Sequence, residues 1–308
     1  MKKIILLIVI LLLTGCYDYK ELNDMNVVDA IYVDYKDNKY YVSAEIISLD
    51  NEKELEKEFI TGSGKNISEA FYDIKKNSSK EIFLEHVDIL CLSKNVSDNG
   101  IKGIIDYVIR DVSINNNYYV VVINDWNSIK DMDEGIGEYL VSLINNSYGE
   151  NDVFTIDMLE RDLIDNKDIV IPYINNLESD EIAIFSDGKL VKYASNNIYN
   201  LLVMRKCNIV FRLDNSSINV YDKNIKYDIN KDKIIINMVL NSEILEGDIK
   251  GFENELSTMI STYISNLDND IFGFKDMYYK KFRERKKVDI EVKVSINIGK
   301  DGALTNDR

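Results

Sequence analysis

The residue best placed to do chemistry is Cys16. It closes the tetrapeptide Leu13-Thr14-Gly15-Cys16, after an unbroken apolar run from Ile4 to Leu13 that follows Lys2 and Lys3. A basic start, a short apolar stretch and small residues at the break describe an export signal. The run is too short to span a bilayer, which takes ~20 apolar residues. The tetrapeptide resembles a bacterial lipobox, in which the cysteine sulfur receives a diacylglyceryl group through a thioether and the chain is cut just before that cysteine. No A-x-A-like cleavage site lies nearby to make the cysteine incidental. The expected modification is a covalent diacylglyceryl group on Cys16, with an N-acyl chain as a further lipid. Two acyl chains hold a protein stably where one binds reversibly, at ~0.8 kcal/mol per buried methylene. Cys16 thus sets the expected compartment, the outer face of the cytoplasmic membrane.

The other reactive residue types form no catalytic or metal-binding pattern. Cys91 and Cys207 sit in strand-like segments, Ile89-Leu90-Cys91-Leu92 and Lys206-Cys207-Asn208-Ile209-Val210, so two buried thiols are expected in preference to a disulfide. His86 is the one histidine, and with no C-x-x-C pair no metal site is expected. His86 itself falls in an alternating pattern and reads as a hydrogen-bonded core or edge residue of a strand. Gly62-Ser63-Gly64-Lys65 lacks the spacing of a phosphate loop, and Asn66 stands where a Mg²⁺-binding hydroxyl would be needed. A helix-entry turn is the expected structure there. Neither G-x-S-x-G nor H-E-x-x-H occurs. Asp131, Asp133 and Glu134 cluster before Gly135 without the ligand spacing of an EF-hand, which predicts a solvated acidic loop. Lys280, Lys281, Arg283, Arg285, Lys286 and Lys287 make the one basic island. It suits lipid headgroups, an acidic partner, or a solvated helix end favoured by the helix dipole. The solvated helix end is the expected reading, because charge runs mostly decorate solvent faces.

The composition narrows the partners. With 308 residues and 45% hydrophobic content, the chain is long enough for two domains of ~150 residues. A net charge of −16 argues against nucleic acid, whose affinity comes from neutralising phosphates with Lys and Arg. The same charge repels anionic headgroups over ~8–10 Å, so the anchor must supply the membrane affinity. No second apolar run approaches membrane-spanning length.

Residues 16–26 read as a lipidated leash of at most ~35 Å. Val27–Tyr35 and Lys39–Leu49 predict a β-hairpin around Asp37-Asn38. A helix after Asn66 is marked by a capping box with Glu69 and by Ile67, Ala70, Phe71 and Ile74 on one face. A strand is expected over Glu81–Leu92, one amphipathic helix over Ser97–Arg110, a buried strand over Asn117–Ile123, and helices over Ile136–Ile144 and Thr155–Leu163. Strands dominate from Ile169 onward. They include a hairpin around Ser186-Asp187-Gly188 and an antiparallel meander over Leu201–Ser242 with a turn at Asp222-Lys223-Asn224. Asp248–Leu267 is the longest expected helix, Phe274–Arg283 a second, and Val288–Ile298 a closing strand. Helices and strands come in blocks, which predicts an α+β fold with mixed, largely antiparallel sheets. The expected division is a signal over 1–15, the leash over 16–26, an N-terminal α+β domain over 27–175 and a C-terminal α+β domain over 176–308, with the boundary between the two domains open from Asp165 to Asn200.

Several segments, in order, resemble the spore germination receptor C-subunit lipoproteins of the Ger(x)C family. They are the lipobox with Tyr17-Asp18-Tyr19-Lys20-Glu21-Leu22-Asn23-Asp24, and the strand Val27-Val28-Asp29-Ala30-Ile31-Tyr32-Val33-Asp34. Gly62–Ala70, Ile101–Asp111 and Glu181–Val191 follow. Leu245-Glu246, the long helix and Asp270-Ile271-Phe272-Gly273-Phe274 complete the set. Tyr17 stands where the family usually has Trp, and Lys275 where Gly is common. The resemblance implies an elongated body and a non-enzymatic component of a nutrient germinant receptor in the inner membrane of dormant endospores. It would act beside two integral membrane partners, the A and B subunits, with the bilayer engaged through Cys16, and with no catalytic residue and no cofactor beyond the lipid. Two other classes fit an anchored ectodomain: a solute-binding protein with two lobes around a cleft, and a cell-envelope hydrolase with paired carboxylates of perturbed pKa in a deep pocket.

Overall fold

The structure is a computed structural model and describes residues 25–49, 55–111, 114, 117–149, 154–204, 208–213 and 216–299. Cys16, the leash up to residue 24, and Cys207 lie outside the described residues. The apolar alternation of the first hairpin forms Met25–Lys36 (β1) and Lys39–Leu49 (β2), joined by Asp37 and Asn38 at φ 52° and 58°. Two positive φ values match the strand twist, and Asp and Asn tolerate them best after Gly. Leu55–Gly64 (β3) pairs antiparallel with β2 and leads to Ile67–Asn77 (α1). Then come Glu81–Phe83 (β4), Ile89–Ser93 (β5), Lys94–Asn99 (α2), Lys102–Arg110 (α3) and Tyr119–Ile123 (β6). Trp126–Lys130 (α4), Ile136–Tyr148 (α5), Ile156–Ile164 (α6), Ile169–Asn175 (β7), Glu178–Ser186 (β8) and Lys189–Ser195 (β9) complete the larger unit.

These strands form one sheet in the order β3-β2-β1-β5-β6-β7-β8-β9, with β4 beside β1. The centre, β1, β5, β6 and β7, is parallel, and antiparallel hairpins flank it. Parallel strands need both faces covered, and the residues comply. On one face Leu90, Leu92, Val120 and Val122 pack against α1, α2, α3 and α6. On the other, Ile89, Cys91, Val121 and Ile123 pack against α4 and α5.

The second unit starts at Asn196–Leu202 (α7) and continues through Ile209–Leu213 (β10), Ser216–Ile229 (β11), Lys233–Glu246 (β12), Phe252–Ser265 (α8), Phe274–Phe282 (α9) and Asp289–Ile298 (β13). Its sheet order is β10-β11-β12-β13, antiparallel except for the parallel β12/β13 pair. Leu256, Ile260, Ile264, Phe274 and Tyr278 cover one face. The outer edge of β13 is closed by side chains of α8: Ser257 bonds both the Val292 carbonyl and the Val294 amide, and Glu253 accepts from the Ile296 amide. Closing an edge this way removes a template for unwanted strand pairing.

Helix α7 is the joint. Ile198 and Leu201 pack into the small core while Tyr199 packs under the large sheet. The buried amides of Asn196 and Asn200 donate to the carbonyls of Ser179 and Ser147, and Lys223 donates to the carbonyls of Asn200 and Met204.

Several expectations are corrected. The large sheet crosses residue 175 and ends at Ser195, inside the open stretch Asp165–Asn200: Asn176 and Leu177, at φ 49° and 63°, turn β7 tightly into β8. The expected helix over Ser97–Arg110 is two helices, because Gly100 at φ 120° breaks it and the Ile101 amide bonds the Gly188 carbonyl instead. The strand expected over Glu81–Leu92 is split by a turn at Glu85-His86. The Asp222-Lys223-Asn224 turn does not exist. A bulge at Tyr221 shifts the alternation by one residue, and β11 continues with Asp222 opposite Asn241. Helices α4 and α7 were not expected; each is too short to show a period.

Candidate functional site

The residues flagged for chemistry are scattered. Cys91 lies in the middle of β5, fully buried and free, and burial pushes its thiol well above the usual range, helped by Glu45 and Asp29. His86 is not in a strand at all: it is exposed in the β4–β5 turn, its ring tilted against Phe83 at 5.4 Å. Gly62 and Gly64 are not a turn before the helix but the end of β3, opposite Val42 and Tyr40. Their lack of a side chain lets α1 lie on the strand. A Cβ on Gly62 would come within 2.5 Å of the Ala70 carbonyl and the Ile74 amide, and one on Gly64 within 2.5 Å of the Ala70 amide. The capping residues behave as expected, with the Glu69 amide donating to Asn66 Oδ1 at 2.9 Å. Glu69 reaches back to the Lys65 amide rather than to that of Asn66.

Asp131, Asp133 and Glu134 are exposed, and the loop they occupy is held from behind by a cation of the chain itself. Lys57 Nζ donates to the carbonyls of Met132 and Glu134, the latter at 2.7 Å.

The sequence reading missed the buried carboxylates next to that loop. Helix α5 starts at Gly135 with no capping side chain of its own. Its first amides are met from the sheet: Ile136 donates to Glu45 Oε2 at 2.9 Å and Gly137 to Asp29 Oδ2 at 2.8 Å. Anionic groups suit this end of a helix. The Glu45 side chain is 0% exposed, its Oε1 has no hydrogen-bond partner among the described residues, and Lys57 Nζ stands 3.8 Å from it. Burial drives Glu45 up to about 7, against the pull of the Ile136 amide and Lys57. Burial likewise raises Asp29 to about 6, against the Gly137 amide and with a push from Asp88, whose carboxyl bonds it and is itself raised by burial. Closed off in this way, Glu45 caps a helix from inside the molecule. The signal was present: Asp29 interrupts the apolar run of β1 and Glu45 that of β2.

A groove is the more open feature. The Asp270 amide donates to Asp168 Oδ2 at 2.9 Å, tying the loop before α9 to the residue before β7. Asp270 also accepts from the amides of Phe274 and Lys275 at the start of α9. Beside this contact lie two adjoining hollows of about 410 and 950 Å³. They share Asp270, Lys275 and Lys287, and the larger is lined by Asp162, Asp165 and Lys167 on one side and by Lys280, Arg285 and Lys286 on the other. Lys167 already pairs with Asp162 and Asp165. Lys280, Arg285, Lys286 and Lys287 of the basic island therefore form the rim. Lys281 and Lys286 bond the carbonyls of Ile229 and Lys231, and Arg285 rests over the Tyr279 ring at 5.3 Å. Lys280, Arg283, Arg285 and Lys287 are exposed and make no ion pair with a described residue.

Among the described residues no group of His, Cys, Asp and Glu is arranged to hold a metal ion, and no helix is long and apolar enough to cross a membrane. A family model described as the spore germination protein N-terminal domain matches residues 18–176, a little over half of the chain. No curated protein sequence matches the chain. Among solved structures, the chain is similar to the crystal structure of the GerBC protein, with 12% identity and a TM-score of 0.48, over 87% of this chain and 96% of that one.

Proposed function

Because this chain belongs to the spore germination proteins of the Ger(x)C family, we propose that it is the lipid-anchored, non-catalytic C subunit of a nutrient germinant receptor. The observation that carries the reading is the family match over residues 18–176, which begins two residues after Cys16 at the end of the lipobox-like tetrapeptide. In this reading Cys16 bears the diacylglyceryl group and holds the ectodomain on the outer face of the inner spore membrane. There it docks on two integral membrane subunits and helps couple nutrient binding to germination. The buried carboxylates support a structural rather than a catalytic use of the acidic residues, since they cap α5 from inside the molecule.

The test is deletion of the gene in its sporulating host, followed by nutrient-triggered germination. Loss of the response to at least one nutrient is expected, with non-nutrient triggers intact. Normal germination in every nutrient, with no redundant homologue, removes the reading. The anchor is tested by the mass of the mature N-terminal peptide, which should begin at Cys16 and carry the lipid. A Cys16→Ala chain should lose that mass and its acyl-dependent retention in membranes.

A further inference from the structure

We propose that the basic rim of the groove, built by Lys280, Arg285 and Lys287 with exposed Arg283 beside them in the chain, meets the anionic surface of the bilayer beside the lipid on Cys16. The proposal rests on the anchored reading above. It goes beyond it by assigning the face of the body that turns to the membrane.

The argument is topological. Strands β1, β5, β6 and β7 are parallel, so their first residues share one edge of the large sheet. Ala30, Ile89 and Tyr119 are level, and Val122 is level with Tyr173. Asp168 therefore lies three strands across from β1 and level with Val28. At ~4.8 Å between strands and ~3.3 Å per residue, Met25 and Asp168 are roughly 17 Å apart on the same edge. Asp168 holds the Asp270 amide and so brings the start of α9 and the basic rim to that edge. The nine steps from Cys16 to Met25 span at most ~30 Å. An anchor on that leash keeps this edge within ~30 Å of the headgroups, whereas the opposite one with the Asp37-Asn38 turn lies ~36 Å further along β1.

Charge points the same way. From Phe274 to Val288 the chain carries seven cations and two carboxylates, in a protein of net charge −16. A solvated helix end explains cations on α9 itself, but not those that continue past Arg283, where the helix closes at φ 58°. The body as a whole is acidic and repelled by an anionic membrane, and this run of cations is a place where approach is favourable.

The experiment uses the full-length acylated chain reconstituted into vesicles, with lysine acetylation by a water-soluble reagent mapped by mass spectrometry. In vesicles of phosphatidylglycerol and phosphatidylcholine, Lys280 and Lys287 should be modified at least threefold more slowly than in pure phosphatidylcholine. Lys39, on the opposite edge, should be unchanged, and 0.5 M salt should abolish the difference. In an R285Q/K287Q chain, the slowing at Lys280 should largely vanish while the protein stays in the vesicles. Equal rates in both vesicle types overturn the proposal. So does protection that appears only when membrane proteins are added, which would assign the rim to an acidic partner. An N-terminal peptide without lipid would remove the anchor and, with it, the assigned orientation. Lipid present with no charge-dependent protection removes the orientation alone.

Discussion

The Asp270 amide donates to the Asp168 carboxylate at 2.9 Å, while the Asp270 carboxylate accepts from the amides of Phe274 and Lys275. One residue thus links the large sheet to the small unit and supplies the helix cap that Gly273 cannot. Asp270→Ala should cost about 1–2 kcal/mol. Hydrogen exchange should rise first in α9 and in the loop ahead of it, before the large sheet changes. Uniform exchange across both units would contradict this placement.

Stability should fall as pH rises from about 4.5 to above 7. Glu45 and Asp29 hold their protons more tightly in the folded chain than ordinary carboxylates do. Their contribution is complete below the ordinary carboxylate range and is lost as the pH passes about 6 and then about 7. Each group costs on the order of 2 kcal/mol once ionised. Glu45→Gln keeps an acceptor for the Ile136 amide and should flatten the slope, stabilising the chain at pH 8 but not at pH 5. Denaturant midpoints at both pH values check this, and parallel slopes for the two proteins would refute it.

Gly62→Ala and Gly64→Ala should each destabilise by about 3 kcal/mol, the upper end of overpacking costs. The added carbon meets the backbone of α1, which cannot step aside as a side chain can. Gly103→Ala, with open space around it, is the control and should be near neutral or slightly stabilising. Thermal unfolding of the three variants ranks them directly.

Cys91 should resist alkylation in the native protein and react only as fast as the chain opens. Its thiol is buried between the sheet and its covering helices, and burial disfavours the thiolate. Site-resolved mass spectrometry after iodoacetamide should show labelling of Cys91 that rises with denaturant. Rapid native labelling would mean that the α5 side of the sheet opens.

Local physics made much of this protein legible from the sequence. The hairpin at Asp37-Asn38, the Asn66–Glu69 cap and the stripe of α8 depend on neighbours a few residues apart, and they stand where the periodicity put them. The lipobox-like tetrapeptide and the ordered family segments are likewise properties of the linear chain. What depends on distant partners was not legible. The sheet continues past residue 175 because β8 finds β7, and the Asp222 turn disappears because a bulge at Tyr221 lets β12 pair on both sides of it. Gly62 and Gly64 looked like part of a turn until α1 was seen lying on them. Asp29 and Glu45 are single carboxylates in apolar strands, and only the bare end of α5 packed above them gives them a role. The basic island read as a decorated helix end, and only the parallel register that carries Asp168 to the edge where β1 begins gave it a direction. Spacing along the chain records which face a residue occupies. Which surface that face meets is decided by strands and helices a hundred residues apart.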